Sequence, residues 1–349
     1  MLLRLVASLL LITLASANAC SVPVFRYALE HWAADPFEAL VFHRGPLTPE
    51  QRALADKLSA DAGKMRANLT VRTIDLDREP LPDAPGQLPS LSVRFPGARG
   101  ATFWSGPLAE NSVERLVDSP ARREVARRLG EGESAVWLLI ESGDRAKDDA
   151  AATTLQARLD YLVGTLELPK LEAQDIANGL VSIAQEDLRL DFSILRLRRD
   201  DSDEGAFIKM LLTAETDLDE AKEPIVFPVF GRGRALYALV GEGIKRETID
   251  RAASFLIGKC SCEVKDQNPG IDLLFATDWD GLVKAKSVAA PDLPTLAQLT
   301  AAAPVSVTIS GADVPLPAKT PSFPTAAALA VGALVLLLGV AALRRIRGK

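Results

Sequence analysis

The sequence is poor in histidine and cysteine, two residues that often carry catalysis and bind metals. Its 349 residues include two histidines, His31 and His43, and three cysteines, Cys20, Cys260 and Cys262. Two histidines leave little material for acid–base or zinc chemistry. The chain also has no HExxH pattern, no Gly-x-Ser-x-Gly elbow and no phosphate-binding glycine loop. No cofactor is therefore expected, and the enzyme classes marked by these motifs are disfavoured.

Basic residues are fewer than acidic ones. The chain has 40 Lys and Arg against 46 Asp and Glu, a net charge of −6 at pH 7. Some of its positive charges lie at the two ends of the chain, so the part between them is more acidic still. An acidic body argues against binding to nucleic acid and against docking on anionic lipid headgroups.

Residues 1–19 predict a secretory signal peptide. Arg4 precedes an apolar run over 5–14, and Ala17-Asn18-Ala19 stands just before Cys20. The apolar run is too short to span a bilayer. Cleavage after Ala19 would make Cys20 the first residue of the mature chain. Lipidation of Cys20 is an alternative, although Ala17 and Asn18 match a lipoprotein signal poorly.

The other end of the chain predicts a membrane anchor. Residues 325–343 carry no charge and are rich in Leu, Val and Ala, and a basic cluster follows at 344–349. About 20 apolar residues cross the hydrocarbon core, and a basic flank stays on the cytoplasmic side. Residues 286–324, rich in Pro, Ala, Ser and Thr, predict a stalk. We therefore expect a single-pass membrane protein with exported N-terminal domains, periplasmic or extracellular, and a cytoplasmic C-terminus.

The body of the chain predicts an α/β fold in which a similar order of strands and helices occurs twice. We call residues 20–132 the first pass and residues 133–285 the second pass. In residues 20–132, a short helix over 21–32 precedes the order strand, helix, strand, strand, strand, helix. Thr48 and Pro49 predict the start of the first of these helices, and the last one is expected over 111–129. In residues 133–285, the pattern predicts strands at 135–140, 192–197, 224–230 and 235–240 and helices at 148–166 and 246–257. Each pass predicts a central mixed sheet flanked by helices.

Two short segments of the first pass resemble the active-site loops of a thioredoxin-like domain. Residues 42–47, Phe-His-Arg-Gly-Pro-Leu, lie between a strand and a helix as the family's Cys-Gly-Pro-Cys motif does, with Arg44 and Leu47 in place of the cysteines. Residues 87–91 resemble the loop that carries the family's cis-proline, with Pro89 in that position. The resemblance implies a thioredoxin-like domain that has lost its CxxC dithiol.

The second pass is similar to the same family in its pattern rather than in a motif. A proline before an apolar strand, Pro224, is the candidate for a second cis-proline, and the first strand leads into Glu141-Ser142-Gly143-Asp144 without a cysteine. The resemblance therefore implies tandem thioredoxin-like domains, both without the redox dithiol, followed by one C-terminal transmembrane helix.

His43, Arg44 and Pro89 are the binding-loop candidates of the first pass. Arg44 stands near a helix start, where positive charge and unpaired N–H groups attract anions such as a peptide carboxylate. The alternative is an arginine that is merely solvated in a loop.

Cys260 and Cys262 form a close cysteine pair. Outside the cytoplasm thiols tend to become disulfides, but one intervening residue would strain a direct bridge. Three alternatives follow: a structural disulfide between one of them and Cys20, a labile redox pair, or two soft ligands for copper(I).

The framework of two proline loops without nucleophiles predicts a non-catalytic extracytoplasmic binding or scaffold protein. Its expected partner is another protein in a membrane complex. The alternative is a thiol–disulfide oxidoreductase or copper-handling protein that uses Cys260 and Cys262.

Overall fold

The computed structural model describes residues 20–64, 67–82, 84–97, 100–259 and 265–286. The predicted signal peptide, Cys260, Cys262, the stalk beyond residue 286 and the membrane anchor lie outside the described residues. Within that described part, no helix is both long and apolar enough to cross a membrane.

Helices and strands alternate along the described chain. The helices are α1 (Val24–His31), α2 (Pro49–Lys64), α3 (Glu110–Val117), α4 (Pro120–Gly130), α5 (Arg145–Thr165), α6 (Ala173–Ala177), α7 (Gly205–Leu212), α8 (Arg246–Ile257) and α9 (Trp279–Lys286). The strands are β1 (Phe37–His43), β2 (Leu69–Asp75), β3 (Ser90–Arg94), β4 (Thr102–Pro107), β5 (Ala135–Ile140), β6 (Phe192–Leu197), β7 (Ile225–Phe230), β8 (Arg234–Ala235), β9 (Leu239–Val240) and β10 (Ile271–Asp272). The predicted α/β class, with two mixed sheets flanked by helices, is confirmed.

The two sheets use the same strand order. In the first, β2-β1-β3-β4, the strand β2 is parallel to β1, and the remaining neighbours are antiparallel. In the second, β6 is parallel to β5, β7 is antiparallel to β5, and β7 turns back into a hairpin partner made of β8 and β9. β10 adds to the edge of β8. The helices α2 and α5 are the crossover connections that two parallel neighbours require.

The two sheets share one hydrophobic core. Phe37 and Val41 of β1 belong to the same buried cluster as Val136 and Leu138 of β5. Between the sheets, α4 packs against β5, and α7 packs against β4 and α3. The opposite face of the second sheet has its own cluster, formed with α1, α5 and α8. Because layers cover both faces of the second sheet, every residue of β5 and β7 is buried.

The N-terminal helix α1 packs on the second sheet although it precedes the first in the chain. Phe25 lies in the cluster that contains Trp137 of β5. Next to the helix, Pro23 pairs with Lys259 in an antiparallel bridge, and the Val24 N–H donates to the Gly258 carbonyl at 3.0 Å. The predicted boundary groups residues 20–132 together, whereas the packing of α1 joins it to the later part of the chain.

Asn68 is a further tie between the two halves. Its side-chain amide donates to the carbonyls of Asp35 at 2.9 Å and Leu273 at 3.1 Å, and its oxygen accepts the Phe275 N–H at 2.9 Å. One side chain at the start of β2 thus binds backbone from both halves.

The prediction of a single last helix in the first pass, over 111–129, is wrong in one respect, because the structure has two helices there. The break falls at Ser119 and Pro120: the Ser119 hydroxyl accepts the Arg122 N–H at 3.3 Å, and Pro120 takes the first helical position. Proline disfavours the helical conformation of the residue before it, so α3 cannot continue through Ser119, and it ends at Val117.

The cis-proline expected in the second half is also wrong. In the described part of the chain the cis peptide bond is Leu88–Pro89, so Pro224 follows a trans bond. The expected cis bond before Pro89 is present. Pro224 instead precedes β7, and its carbonyl accepts the Gly241 N–H at 2.9 Å at the end of the hairpin.

Candidate functional site

The two loops that the sequence singles out meet at one end of the first sheet. β1 ends at His43, and the register pairs Phe42 of β1 with Ser90 of β3. Pro89, which directly precedes β3, therefore lies beside His43. This is the end at which the parallel strands β1 and β2 present their carboxyl termini, the usual position of ligands in α/β sheets.

Arg44 forms an exposed ion pair with Asp77. Its guanidinium lies 3.5 Å from Asp77, and the two side chains are 64% and 53% exposed. The same carboxylate accepts the Gly45 N–H at 3.0 Å, while His43 Nδ1 contacts the Gly45 carbonyl at 2.7 Å. An anion arriving at Arg44 would have to compete with Asp77, and anion binding there stays a prediction.

The start of α2 is capped by its own side chains. The Thr48 hydroxyl accepts the Gln51 N–H at 3.2 Å, and the Gln51 side chain accepts the Thr48 N–H at 3.0 Å, a reciprocal capping box. Hydrogen bonds from the Glu50 backbone N–H and from Thr48 lower the pKa of the Glu50 carboxyl. The predicted helix start at Thr48 and Pro49 is confirmed, and negative charge already stands at that terminus.

The equivalent end of the second sheet is closed by a buried carboxylate. Asp148 of α5, which is 2% exposed, accepts hydrogen bonds from the Ser142 N–H at 2.7 Å, the Ser142 hydroxyl at 2.8 Å and the Gly143 N–H at 3.1 Å. Asp144 caps α5 by accepting the N–H groups of Ala146 and Lys147 at 3.0 and 3.3 Å. The loop after β5 is thus bound to the helix that follows it.

A cleft of about 780 Å³ beside this loop is lined by charges of both signs. Arg196 lies 2.6 Å from Glu141 and 3.0 Å from Asp149, and Arg198 lies 2.9 Å from Asp200. The hydrogen bond from Arg196 lowers the pKa of Asp149, and that from Arg198 lowers the pKa of Asp200. Because these charges pair with one another, the cleft offers little net field to an ionic ligand.

Cys20 is buried at the start of the described chain. The next residue is fixed in place, since the Ser21 N–H and hydroxyl both donate to Asp175, at 2.7 and 2.5 Å. Three residues after Cys20, Pro23 pairs with Lys259, the residue that directly precedes Cys260. Cys260 and Cys262 lie outside the described residues, so their pairing stays a prediction.

No protein-family model and no curated protein sequence matches this chain. Among the described residues, no group of three His, Cys, Asp or Glu side chains is placed to hold a metal ion.

A further cleft, of about 830 Å³, was not indicated by any sequence pattern. One wall is Ala101 and Thr102 at the start of β4, an outermost strand of the first sheet. The other wall contains residues 235–237, and Phe227 and residues 270–271 also line the cleft. Residues 213–217 and Asp219, which follow α7, form a rim. We call this feature the edge cleft.

A β-bulge shapes the second wall of the edge cleft. The register pairs Val229 with Ala235 and Val226 with Leu239, so two residues of β7 face three residues of its partner. Pro228 of β7 has no N–H to donate, although its carbonyl accepts the Leu236 N–H at 3.0 Å. Bulges redirect side chains and occur beside binding sites, and a proline inside an apolar strand is the sequence signal that marks this one.

Tyr237 lies in this bulge. It is half-buried, and burial raises the pKa of its phenol further above neutral pH. Its hydroxyl can donate a hydrogen bond. Sequence reasoning missed Tyr237 because the segments that surround it come from four separate parts of the chain.

Proposed function

We propose that this protein is a non-catalytic binding or scaffold subunit of a membrane complex. Its body lies outside the cytoplasm, exported by residues 1–19 and anchored by a transmembrane helix over 325–343, and its partner is another protein. Its two sheets are degenerate thioredoxin-like domains without the redox dithiol.

The repeated strand order supports the proposed fold family. In each half a strand, a crossover helix and a parallel strand are followed by an antiparallel hairpin and a helix on the same face as the crossover helix. In the first half these helices are α2 and α3, and in the second they are α5 and α8. This is the order that the resemblance of segments 42–47 and 87–91 implies.

The observation that carries the proposed function is the state of the two sheet ends. Dithiol exchange needs a low-pKa thiolate with a second cysteine close by. The first end instead holds Arg44 against Asp77, and the second holds a loop bound by Asp148. These groups bond to one another and stabilise the framework, which suits a rigid binding body better than a reactive centre.

Co-purification from membranes tests the proposal. The full-length protein, tagged at its C-terminus, is cross-linked in intact cells and purified from gently solubilised membranes. We expect a partner protein at constant stoichiometry, and we expect it to remain in a Cys260→Ala/Cys262→Ala variant. The same preparation is assayed with a disulfide substrate, and catalytic turnover that either alanine substitution abolishes would refute the proposal.

A further inference from the structure

We infer that the edge cleft binds an extended, lysine- or arginine-bearing segment of a partner protein. The inference rests on the proposed binding function and adds to it a surface and the chemistry of the partner. It stands on the charge of the cleft, on its edge strand β4 and on its shape.

The cleft carries negative charge. Glu215, Asp217 and Asp219 line it and are exposed, whereas its described lining residues include no lysine or arginine. The helix α7 ends at Leu212, also in the lining, so the negative end of its dipole lies at the cleft. A cationic ligand is therefore attracted to it and an anionic one repelled.

The three carboxylates differ in their hydrogen-bond and ion-pair partners. Asp219 lies 2.6 Å from Lys209 Nζ, and Glu215 accepts the Ala238 N–H at 3.1 Å. Asp217 has no hydrogen-bond or ion-pair partner among the described residues, and its φ of 70° lies in the left-handed region that aspartate and asparagine tolerate. Asp217 is thus the carboxylate most able to receive a positive charge.

The first wall of the cleft is the start of β4, an edge strand that also contacts α7. β4 pairs with β3 on one side, and in the described sheet no strand pairs with its other side. Thr102, the first residue of β4, is exposed at the cleft. An extended peptide can add its backbone to such an edge while its side chains enter neighbouring pockets. Facing carboxylates then select lysine or arginine at those positions.

The shape of the cleft fits the same ligand. A volume of about 830 Å³ between the start of β4 and the bulge of the second sheet accommodates several residues of an extended chain. The paired charges of the cleft at Arg196 leave no comparable net field there. The edge cleft is therefore the better site for a charged segment.

The test measures peptide binding to the full-length protein in non-ionic detergent micelles. The probes are three fluorescein-labelled decapeptides in which valine alternates with lysine, with glutamine or with glutamate. Fluorescence anisotropy gives the affinity of each at low and at physiological salt. We expect the lysine peptide to bind, to weaken with salt, and to bind more tightly than the other two.

Matched variants locate the binding. Glu215→Gln/Asp217→Asn keeps oxygen acceptors in place and leaves the Lys209–Asp219 pair intact, and it should weaken the lysine peptide about tenfold. Asp187→Asn, an exposed carboxylate outside the cleft, should leave the affinity unchanged. Thr102→Arg, which adds a cation to the opposite wall, should weaken binding without touching the acidic loop. Thermal unfolding of each variant verifies that it is folded.

The outcomes separate this inference from the proposed function. Equal affinity of the lysine peptide for wild type and the double variant would overturn the edge cleft as its site, as would equally tight binding of the glutamate peptide. If the membrane partner is retained by wild type and by the double variant alike, the scaffold role stands and this inference falls. If no partner co-purifies but the peptide result holds, the cleft stands and membership in a complex falls.

Discussion

Between β2 and β3 the first half of the molecule has a proline-rich loop, whereas between β6 and β7 the second half has the helix α7. The loop, with prolines at 80, 82, 85 and 89, cannot form a helix, and its Leu81 and Leu88 cover a small cluster around Leu40 and Phe42. The residues of α7, including Phe207, enter the core that both sheets share. The two sheets thus have the same strand order but are covered differently. The proline-rich loop covers the outer face of the first sheet, whereas α7 packs in the core between the two halves.

This difference has an energetic consequence. The second sheet is covered on both faces by large clusters, and one of them contains the inner face of the first sheet as well. Among the described residues, the outer face of the first sheet is covered by the proline-rich loop. We therefore expect equivalent substitutions to cost more in the second half than in the first.

The largest expected difference concerns the hairpin turns. Gly97 in the first hairpin has φ +69° and open space where a Cβ would be, whereas Gly233 in the second has φ +83° and a Cβ site 2.5 Å from the Phe275 ring. Gly97→Ala should cost about 1 kcal/mol from backbone conformation. Gly233→Ala should cost about 4 kcal/mol, because the clash adds to that cost. Urea titration of the full-length protein measures both, and equal losses would remove the contrast between the turns.

The next contrast compares two fully buried leucines. Leu138 of β5 lies in the shared core, and Leu40 of β1 lies under the proline-rich loop. Leu138→Ala should cost about 4 kcal/mol of unfolding free energy, since rigid layers on both sides leave a cavity. Leu40→Ala should cost about 2 kcal/mol, because the loop can settle into the space. A loss of unfolding free energy for Leu40→Ala as large as that for Leu138→Ala would show that the loop is as rigid as the helices.

Sequence patterns predict strands and helices well where their cause is local. The apolar runs at 135–140 and 192–197 coincide with β5 and β6, and the helix expected over 246–257 coincides with α8. The break between α3 and α4 was missed although its signal was present, because Ser119-Pro120 is a cap followed by a favoured first helical residue. Local patterns suffice when capping and periodicity are weighed together.

Packing between distant segments could not be predicted in the same way. The periodicity of α1 predicts an apolar face but not that this face lies on a sheet formed more than 100 residues later. The edge cleft was missed for the same reason, since Thr102, Asp217, Tyr237 and Gly270 become neighbours only in the fold. The candidate loop at 42–47 was found because strand, turn and helix follow one another directly in the chain.

A smaller contrast concerns the two sheet ends. Asp148 is buried and accepts three hydrogen bonds, whereas Asp77 is exposed and accepts from Gly45 beside Arg44. Asp148→Asn should lower the unfolding free energy by about 2 kcal/mol. The amide lacks the negative charge of the carboxylate, and its NH2 group would face an N–H or O–H donor that the carboxylate now binds. Asp77→Asn should cost about 0.5 kcal/mol at an exposed site. Chemical denaturation of the two variants checks this, and similar losses would mean that both ends are held equally.

The smallest expected effect concerns Glu133, just before β5. Burial raises the pKa of its carboxyl, although a hydrogen bond from Ser193 opposes the shift. A raised pKa means that the folded protein holds this proton more tightly than the unfolded chain does. Ionisation therefore costs stability as pH rises from about 4.5 through the folded pKa.

Replacing this glutamate with a neutral side chain should remove that cost. Glu133→Gln should unfold at a slightly higher temperature than wild type at pH 7 and show little advantage at pH 4, where Glu133 is mostly protonated in both states. Glu38→Gln in β1, where the side chain is 42% exposed beside Arg72, is the control from the first half and should show no gain at pH 7. Melting curves across pH 4 to 8 measure both variants. A Glu133→Gln gain that is constant with pH would have to come from packing, and burial of the charge would no longer distinguish this position from its exposed counterpart.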